Sequence, residues 1–216
     1  ETLAVVGALS TVRKVSSMVR YSVSDTTKAI PETPGVDTMV LVANFSQSDA
    51  ACKPVKDALR DKNIGFLVNC DCGTYSTHFA ATTLMTRLIL LGMVERRLGA
   101  VVNISSGACY RPFPSKAPLS PSTAYLDNFS CALHHEYGHQ GIFVQSLVPF
   151  EVVPHGASAG GWLLPQSDVY ACHAISTLGI SHRTTGYCPH KLQFGLVQSM
   201  PEWIWVFRSR MLTISC

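Results

Sequence analysis

The chain has 216 residues, of which 47% are hydrophobic, so its length and composition exclude a disordered protein and support one sizeable hydrophobic core. Its 17 basic and 14 acidic residues give a net charge of +3 and form no block of Lys or Arg that could follow a phosphate backbone. Nucleic acid is therefore not an expected partner. The eight cysteines form no CxxC pair, so we expect buried thiols in a reducing compartment rather than a disulfide framework.

Two segments precede the predicted domain. The chain opens with the apolar stretch "ETLAVVGALSTVRK", which lacks the basic segment and the cleavage pattern of a signal peptide. Residues 22–38, "SVSDTTKAIPETPGVDT", are rich in Ser, Thr, Pro and acidic residues and show no apolar period. We therefore predict an apolar leader and linker over residues 1–38 and one ordered domain over residues 39–216.

Runs rich in β-forming residues alternate with helical spans along the predicted domain. The runs carry little polar alternation, which is typical of strands in a parallel sheet buried on both faces. They are "MVLVANF" (39–45), "IGFLVN" (64–69), "GAVVNIS" (99–105) and "IFVQSLV" (142–148). Helices long enough for crossovers are predicted over 49–61, 79–97 and 122–137. This alternation predicts an α/β domain with right-handed connections.

The string "HHEYGH" at residues 134–139 contains the HExxH spelling of zinc peptidases. Such a peptidase needs both histidines on consecutive turns of one continuing helix. Here Gly138 lies between Glu136 and His139 and is a signal that ends helices. His135 lies off the apolar stripe of its helix and is expected to face solvent. We therefore predict no metal site.

Several stretches resemble a short-chain dehydrogenase/reductase over most of residues 39–210. They include "DKNIGFLVN", "LGMVERRLGAVVNISSG", "VYACHAISTLGISHRTTGY" and "QSMPEWIWV". The branch they resemble contains the type 3 and type 12 17β-hydroxysteroid dehydrogenases and the 3-ketoacyl-CoA reductases, and the likeness is closest to its catalytically inactive members. The resemblance implies a Rossmann-like parallel sheet with flanking helices and NADP as the family's cofactor.

The resemblance also implies four catalytic positions, of which this chain keeps one. Enzymes of the family use a Tyr as proton donor, a Lys one helical turn on that lowers the pKa of this Tyr, a Ser and an Asn. Ser106 matches the Ser. Leu119 stands at the Tyr position and Thr123 at the Lys position. His78 stands at the Asn position. Because Leu119 has no ionisable proton and Thr123 no charge, the positions are vestigial, and Ser106 is expected to bond backbone groups at a strand end.

The cofactor positions implied by the resemblance have changed too. The family binds the pyrophosphate at a TGxxxGxG turn, where glycines let the backbone approach the phosphates. Aligned to "VVGALSTVR", the second and third glycines are Thr11 and Arg13, whose side chains fill the space of the phosphate. Asn44 replaces an adenine-contacting Asp, and "NCDC", which begins at Asn69, replaces a support motif. With Thr123, these are vestigial cofactor positions, and no bound cofactor is expected.

The stretch "VVGALSTVR" fits the apolar leader better than a nucleotide-binding turn. We therefore predict a truncated Rossmann-like sheet from which the first βαβ nucleotide-binding unit is missing. In the family's strand order 3-2-1-4-5-6-7, this loss leaves a gap of two positions between strand three and strand four, which must close. Because the runs at 39–45 and 64–69 and their helix form a complete right-handed crossover, we predict direct pairing in the order 3-4-5-6.

These features predict a catalytically inactive dehydrogenase-like protein that has an interaction role with a protein partner. The alternative is an NADP-dependent oxidoreductase that acts on steroid or 3-ketoacyl carbonyls with another proton donor. A third hypothesis is peripheral membrane contact through Trp203, Trp205 and Phe207, which precede Arg208 and Arg210; packing on the sheet is its alternative. By resemblance the location is the mitochondrion, with the endoplasmic reticulum membrane as the alternative.

Overall fold

The chain forms a single parallel sheet flanked by helices. The computed structural model describes residues 4–6, 17–22, 37–42, 55–57, 59, 63–70, 78–111, 118–153 and 160–207. The strands are β1 (Ala4–Val6), β2 (Ser17–Ser22), β3 (Asp37–Val42), β4 (Ile64–Asn69), β5 (Gly99–Ile104), β6 (Ile142–Leu147) and β7 (Arg183–Thr184). The helices are α1 (His78–Arg96), α2 (Leu119–Tyr137), α3 (Ser167–Ser176) and α4 (Cys188–Ser199).

The predicted α/β class with a parallel sheet is confirmed. The runs predicted at 64–69, 99–105 and 142–148 are β4, β5 and β6. Adjacent residues in a strand point to opposite faces, and β4 and β5 bury apolar side chains on both faces. One face packs on α1 and α2 and the other on α3, which gives three layers.

The predicted strand order is wrong. The observed order is β3-β2-β1-β4-β5-β6-β7, so β3 pairs with β2, and β1 separates β2 from β4. Two segments inside the predicted leader and linker therefore supply interior strands. The pattern concealed them because β1 has only three residues and β2 carries polar residues along with apolar ones.

The first nucleotide-binding unit has thus kept its strands, and its change lies in a connection. Ten residues, 7–16, join β1 to β2. Parallel neighbours usually need a crossover of a dozen residues or more, commonly with a helix. The sequence of this connection contains a single glycine, Gly7. The shortening therefore falls at the position where a dinucleotide-binding fold places its phosphate turn.

Candidate functional site

Three of the predicted site residues lie close to the carboxyl end of β5, the edge at which open α/β sheets bind ligands. Ser106 follows β5 and precedes a short 3-10 helix at Gly107–Cys109. Its Oγ accepts a hydrogen bond from the backbone nitrogen of Ala108 at 3.4 Å. The Ser106 hydroxyl therefore bonds a backbone group, as expected, and caps the short helix.

Thr123 and Leu119 lie one turn apart at the start of α2. Thr123 is buried, and its hydroxyl lies 2.8 Å from the carbonyl oxygen of Leu119, to which it donates, and 3.1 Å from that of Ser120. A threonine hydroxyl bonded in this way serves the helix backbone. Leu119 offers only carbon atoms. The pair therefore cannot supply the proton or the positive charge that the family's Tyr and Lys provide.

Asn69 belongs to a buried network of amides and hydroxyls. Its Nδ2 donates to Asn103 Oδ1 at 2.7 Å and to Thr86 Oγ1 at 3.2 Å. Asn103 Nδ2 in turn donates to Ser130 Oγ at 2.8 Å. The network joins β4, β5, α1 and α2, so the amide of Asn69 is used to hold these elements together.

At two further predicted positions, the structure describes no side chain. His78 begins α1, where the structure describes the backbone alone, and Asn44 lies outside the described residues. Their vestigial assignments therefore stay predictions.

The HExxH string ends a helix, as predicted. α2 ends at Tyr137, Gly138 is its C-cap, and His139 lies in the 3-10 turn that follows. His135 is exposed, also as predicted. Among the described residues, no group of three His, Cys, Asp or Glu side chains is arranged to hold a metal ion.

Two tyrosines near the site are poor candidates for a replacement proton donor. Tyr110 packs on Phe194, with ring centroids 4.2 Å apart, and burial raises its pKa above the ordinary range. The hydroxyl of Tyr170 donates to the carbonyl oxygen of Thr185 at 3.0 Å, and burial raises its pKa as well. A carbonyl reductase needs a phenol whose pKa is lowered towards neutral. Both tyrosines are shifted in the opposite direction.

An ion pair that the sequence analysis missed lies behind the site. Arg183 in β7 donates through Nε to Asp127 Oδ1 at 3.2 Å and through Nη2 to Asp127 Oδ2. Ser146 Oγ donates to the same carboxylate at 2.6 Å. The guanidinium also lies 5.2 Å from the ring centroid of Tyr110. Asp127 is 3% exposed, so these partners compensate the burial of its carboxylate. No local pattern predicts this pair because its residues are 56 positions apart.

The segments that follow β5 and β6 pack directly on one another. The backbone nitrogen of Gly107 donates to the carbonyl oxygen of Pro149 at 2.8 Å, and a Cβ at Gly107 would lie 2.8 Å from the ring of Phe150. Arg111 donates to the backbone oxygens of Gln198 and Met200 at 3.0 and 2.6 Å. The chain after Ser106 is thereby fixed to both β6 and the end of α4. These contacts occupy the edge at which a ligand of this fold would lie.

His190 lies fully buried among three aromatic rings. Its ring centroid is 5.8 Å from that of Phe150, 5.6 Å from Tyr170 and 5.2 Å from Tyr187. The Phe150 backbone nitrogen donates to its Nδ1 at 3.4 Å. Burial lowers the pKa of His190, while backbone groups of Glu151 and Leu163 oppose the shift. The neutral imidazole therefore supports the loop that follows β6.

We expect the free energy of unfolding to fall as the pH drops below about 6.5, the ordinary histidine pKa. Partial burial and then the neighbouring His182 and His135 lower the pKa of His134, and burial lowers that of His190. The unfolded chain therefore binds more protons than the folded chain below this pH, so acid favours unfolding. Thermal melts of wild type and His190→Phe at several pH values test this, with the exposed His139→Gln as control. Identical pH slopes for wild type and His190→Phe would contradict the explanation.

The layered parallel sheet with helices on both faces defines a Rossmann-like α/β protein. A model of the short chain dehydrogenase family matches residues 19–156, and the chain belongs to this family. It is 52% identical to Inactive hydroxysteroid dehydrogenase-like protein 1 of Danio rerio, with 90% of this chain and 68% of that protein covered. The Homo sapiens protein of the same name is 44% identical, with 87% and 64% covered.

More distant relatives are active by name. The Very-long-chain 3-oxoacyl-CoA reductase of Homo sapiens is 32% identical over 79% of this chain and 62% of its own length. Among solved structures, a 7β-hydroxysteroid dehydrogenase matches with a TM-score of 0.72 at 16% identity, with 89% of this chain and 86% of that chain covered. At this identity the likeness shows the fold alone. The chain spans about two thirds of the length of its curated relatives.

The residues present do not fit a nicotinamide dinucleotide. The Asn69 amide is hydrogen-bonded to Asn103, the Thr123 hydroxyl is hydrogen-bonded within its own helix, and Phe150 packs against Gly107 at the carboxyl edge of the sheet. In the sequence after β1, Thr11 stands where the phosphate turn requires glycine.

Proposed function

We propose that this chain is a catalytically silent member of the short chain dehydrogenase family that acts by binding a partner. The observation that carries the proposal is the pair of Leu119 and Thr123 at the start of α2. A leucine and a hydroxyl bonded within its own helix cannot transfer a proton to a carbonyl. The names of the close relatives, which call them inactive, support the same conclusion.

The second candidate is an NADP-dependent reductase that acts on steroid or 3-ketoacyl carbonyls. The name of the human relative at 32% identity is the observation in its favour. Such an enzyme would need a proton donor other than Leu119. The raised pKa values of Tyr110 and Tyr170 count against both as donors.

We expect no oxidation of NADPH above background by the wild-type chain with steroid or 3-ketoacyl substrates. The double variant Leu119→Tyr/Thr123→Lys is expected to stay silent too, because the residues at the cofactor positions remain unsuited to a dinucleotide. The absorbance of NADPH measures its oxidation by the wild-type chain and by the double variant. An active short-chain reductase is the positive control. Wild-type turnover that Ser106→Ala abolishes would refute the proposal and establish the reductase.

The location implied by the resemblance, the mitochondrion, remains part of the proposal, with the endoplasmic reticulum membrane as its alternative. Imaging the tagged full chain in cells against markers of both organelles distinguishes the two.

A further inference from the structure

An exposed apolar turn projects from the segment that follows β6. Trp162 and Leu163 form its apex and are 65% and 44% exposed. The turn is closed by two backbone hydrogen bonds between Gly161 and Leu164, at 2.9 and 3.0 Å. A tryptophan and a leucine are thus held in water by a well-defined turn, although each would gain free energy from burial.

The turn is attached to α4, whose outer face adds more apolar surface. Gln193 Nε2 donates to the carbonyl oxygen of Leu163 at 3.1 Å. Leu192 and Leu196, one turn apart on this helix, are 52% and 59% exposed. The opposite face of α4 is already used, since Phe194 packs on Tyr110. Leu192 and Leu196 therefore do not pack in the hydrophobic core.

The chain after α4 contributes two more exposed aromatic side chains. Residues 202–207 are helical, and Trp203 and Phe207, four positions apart, are 73% and 62% exposed. Trp205 is half-buried. Trp203 and Phe207 therefore project into solvent, whereas Trp205 contributes less than the sequence suggested. We call the exposed side chains Trp162, Leu163, Leu192 and Leu196 the apolar patch; Trp203 and Phe207 follow α4 in the sequence.

Positive charge accompanies the apolar patch. Lys191 is exposed next to Leu192, and Arg208 and Arg210 follow Phe207 in the sequence. Glu202 is the acidic residue beside Trp203. Tryptophan with basic neighbours is the composition of segments that lie in a membrane interface, where the ring enters the headgroup region and the cation meets anionic lipid.

We propose that the apolar patch docks on an anionic lipid surface. Among the described residues, no helix is long and apolar enough to cross a bilayer, so the contact is peripheral. A second copy of the chain is a poorer occupant, because pairing two patches would bring Lys191 of each copy towards a like charge. Lipid phosphates complement these cations, and the interface accepts the indole rings.

Flotation of the purified full chain with phosphatidylcholine vesicles, with and without phosphatidylserine, tests the proposal. Wild type is expected to float with the anionic vesicles and to blue-shift its tryptophan emission. Trp162→Ser/Leu163→Ser is expected to lower the partition coefficient about tenfold or more, because two large apolar side chains are lost from the interface. Ile180→Ser, which removes an apolar residue that is 82% exposed outside the patch, is the matched control and should float like wild type.

Equal melting temperatures of the variants and wild type establish that the fold is intact. Wild type that stays in the lipid-free fraction with anionic vesicles would overturn the proposal. Equal flotation of wild type and Trp162→Ser/Leu163→Ser would also overturn it, as would self-association of the lipid-free chain that this double variant abolishes. Binding to vesicles without phosphatidylserine as strong as to those with it would refute the anionic part.

Discussion

Arg183→Ala is expected to lower the free energy of unfolding by about 2–3 kcal/mol, which corresponds to a melting temperature roughly 5–10 °C lower. The substitution leaves the buried carboxylate of Asp127 with Ser146 and without its cation. Removing one partner of a fully buried pair typically costs about 3–5 kcal/mol. The lower figure applies because the Arg183 side chain is 45% exposed. Chemical denaturation monitored by circular dichroism measures the change.

A double-mutant cycle separates the ion pair from other roles of Arg183. In an Asp127→Asn background, Arg183→Ala should cost markedly less than in wild type, because the uncompensated charge is gone. Arg87→Ala, at an exposed position on α1, is the matched control and should stay within about 0.5 kcal/mol of wild type. Strictly additive effects of the two substitutions, or a loss no larger than that of Arg87→Ala, would show that the pair does not stabilise the fold.

Asn103→Ala is expected to cost about 2–3 kcal/mol of folding free energy. Asn103 is fully buried, accepts from Asn69 and donates to Ser130. Its removal leaves a cavity and takes away one partner from each of these side chains. Because β4, β5 and α2 meet at this residue, the loss should appear as a cooperative shift of the unfolding midpoint with an unchanged denaturant slope.

Asn128→Ala provides the matched comparison for this change. Asn128 lies on the exposed face of the same helix that carries Ser130, and its amide bonds only a carbonyl of its own helix, that of Ala124, at 3.0 Å. Alanine favours helices, so the control should be neutral within about 0.5 kcal/mol. If Asn103→Ala were as mild as Asn128→Ala, the buried network would not be a determinant of stability.

The architecture could be predicted where the strands are buried on both faces and are long enough for their apolar pattern to be visible in the sequence. β4, β5 and β6 are predominantly apolar runs, and their positions in the sequence were predicted within a residue. β1 and β2 could not be found in this way, because β1 is three residues long and its position is set by pairing with β2 and β4. Such pairing is a property of the assembled sheet, which periodicity within one segment does not reveal.

The losses at the site could be read from the sequence because they are changes of residue type at family positions. Leucine at 119 cannot donate a proton and threonine at 123 cannot supply a positive charge, wherever their side chains point. The long-range contacts around the site could not be predicted. Distant positions are joined in the Asp127–Arg183 pair and in the Asn69–Asn103 bond. The burial of His190 was also not predictable, because a buried polar residue looks like a surface one in the sequence.

Titration of the purified wild-type chain with NADPH, followed by its melting temperature, tests the central claim most directly. A ligand at a hundred times its dissociation constant would stabilise the fold by about 2.7 kcal/mol, a rise of roughly 5–10 °C. Since the side chains of Asn69 and Thr123 are hydrogen-bonded within the fold and Thr11 stands where the phosphate turn requires glycine, we expect no change. The short-chain dehydrogenase of Sphingobium yanoikuyae, whose solved structure contains NADPH, is the positive control. A saturable rise in the melting temperature of the wild-type chain would contradict the loss of the cofactor site.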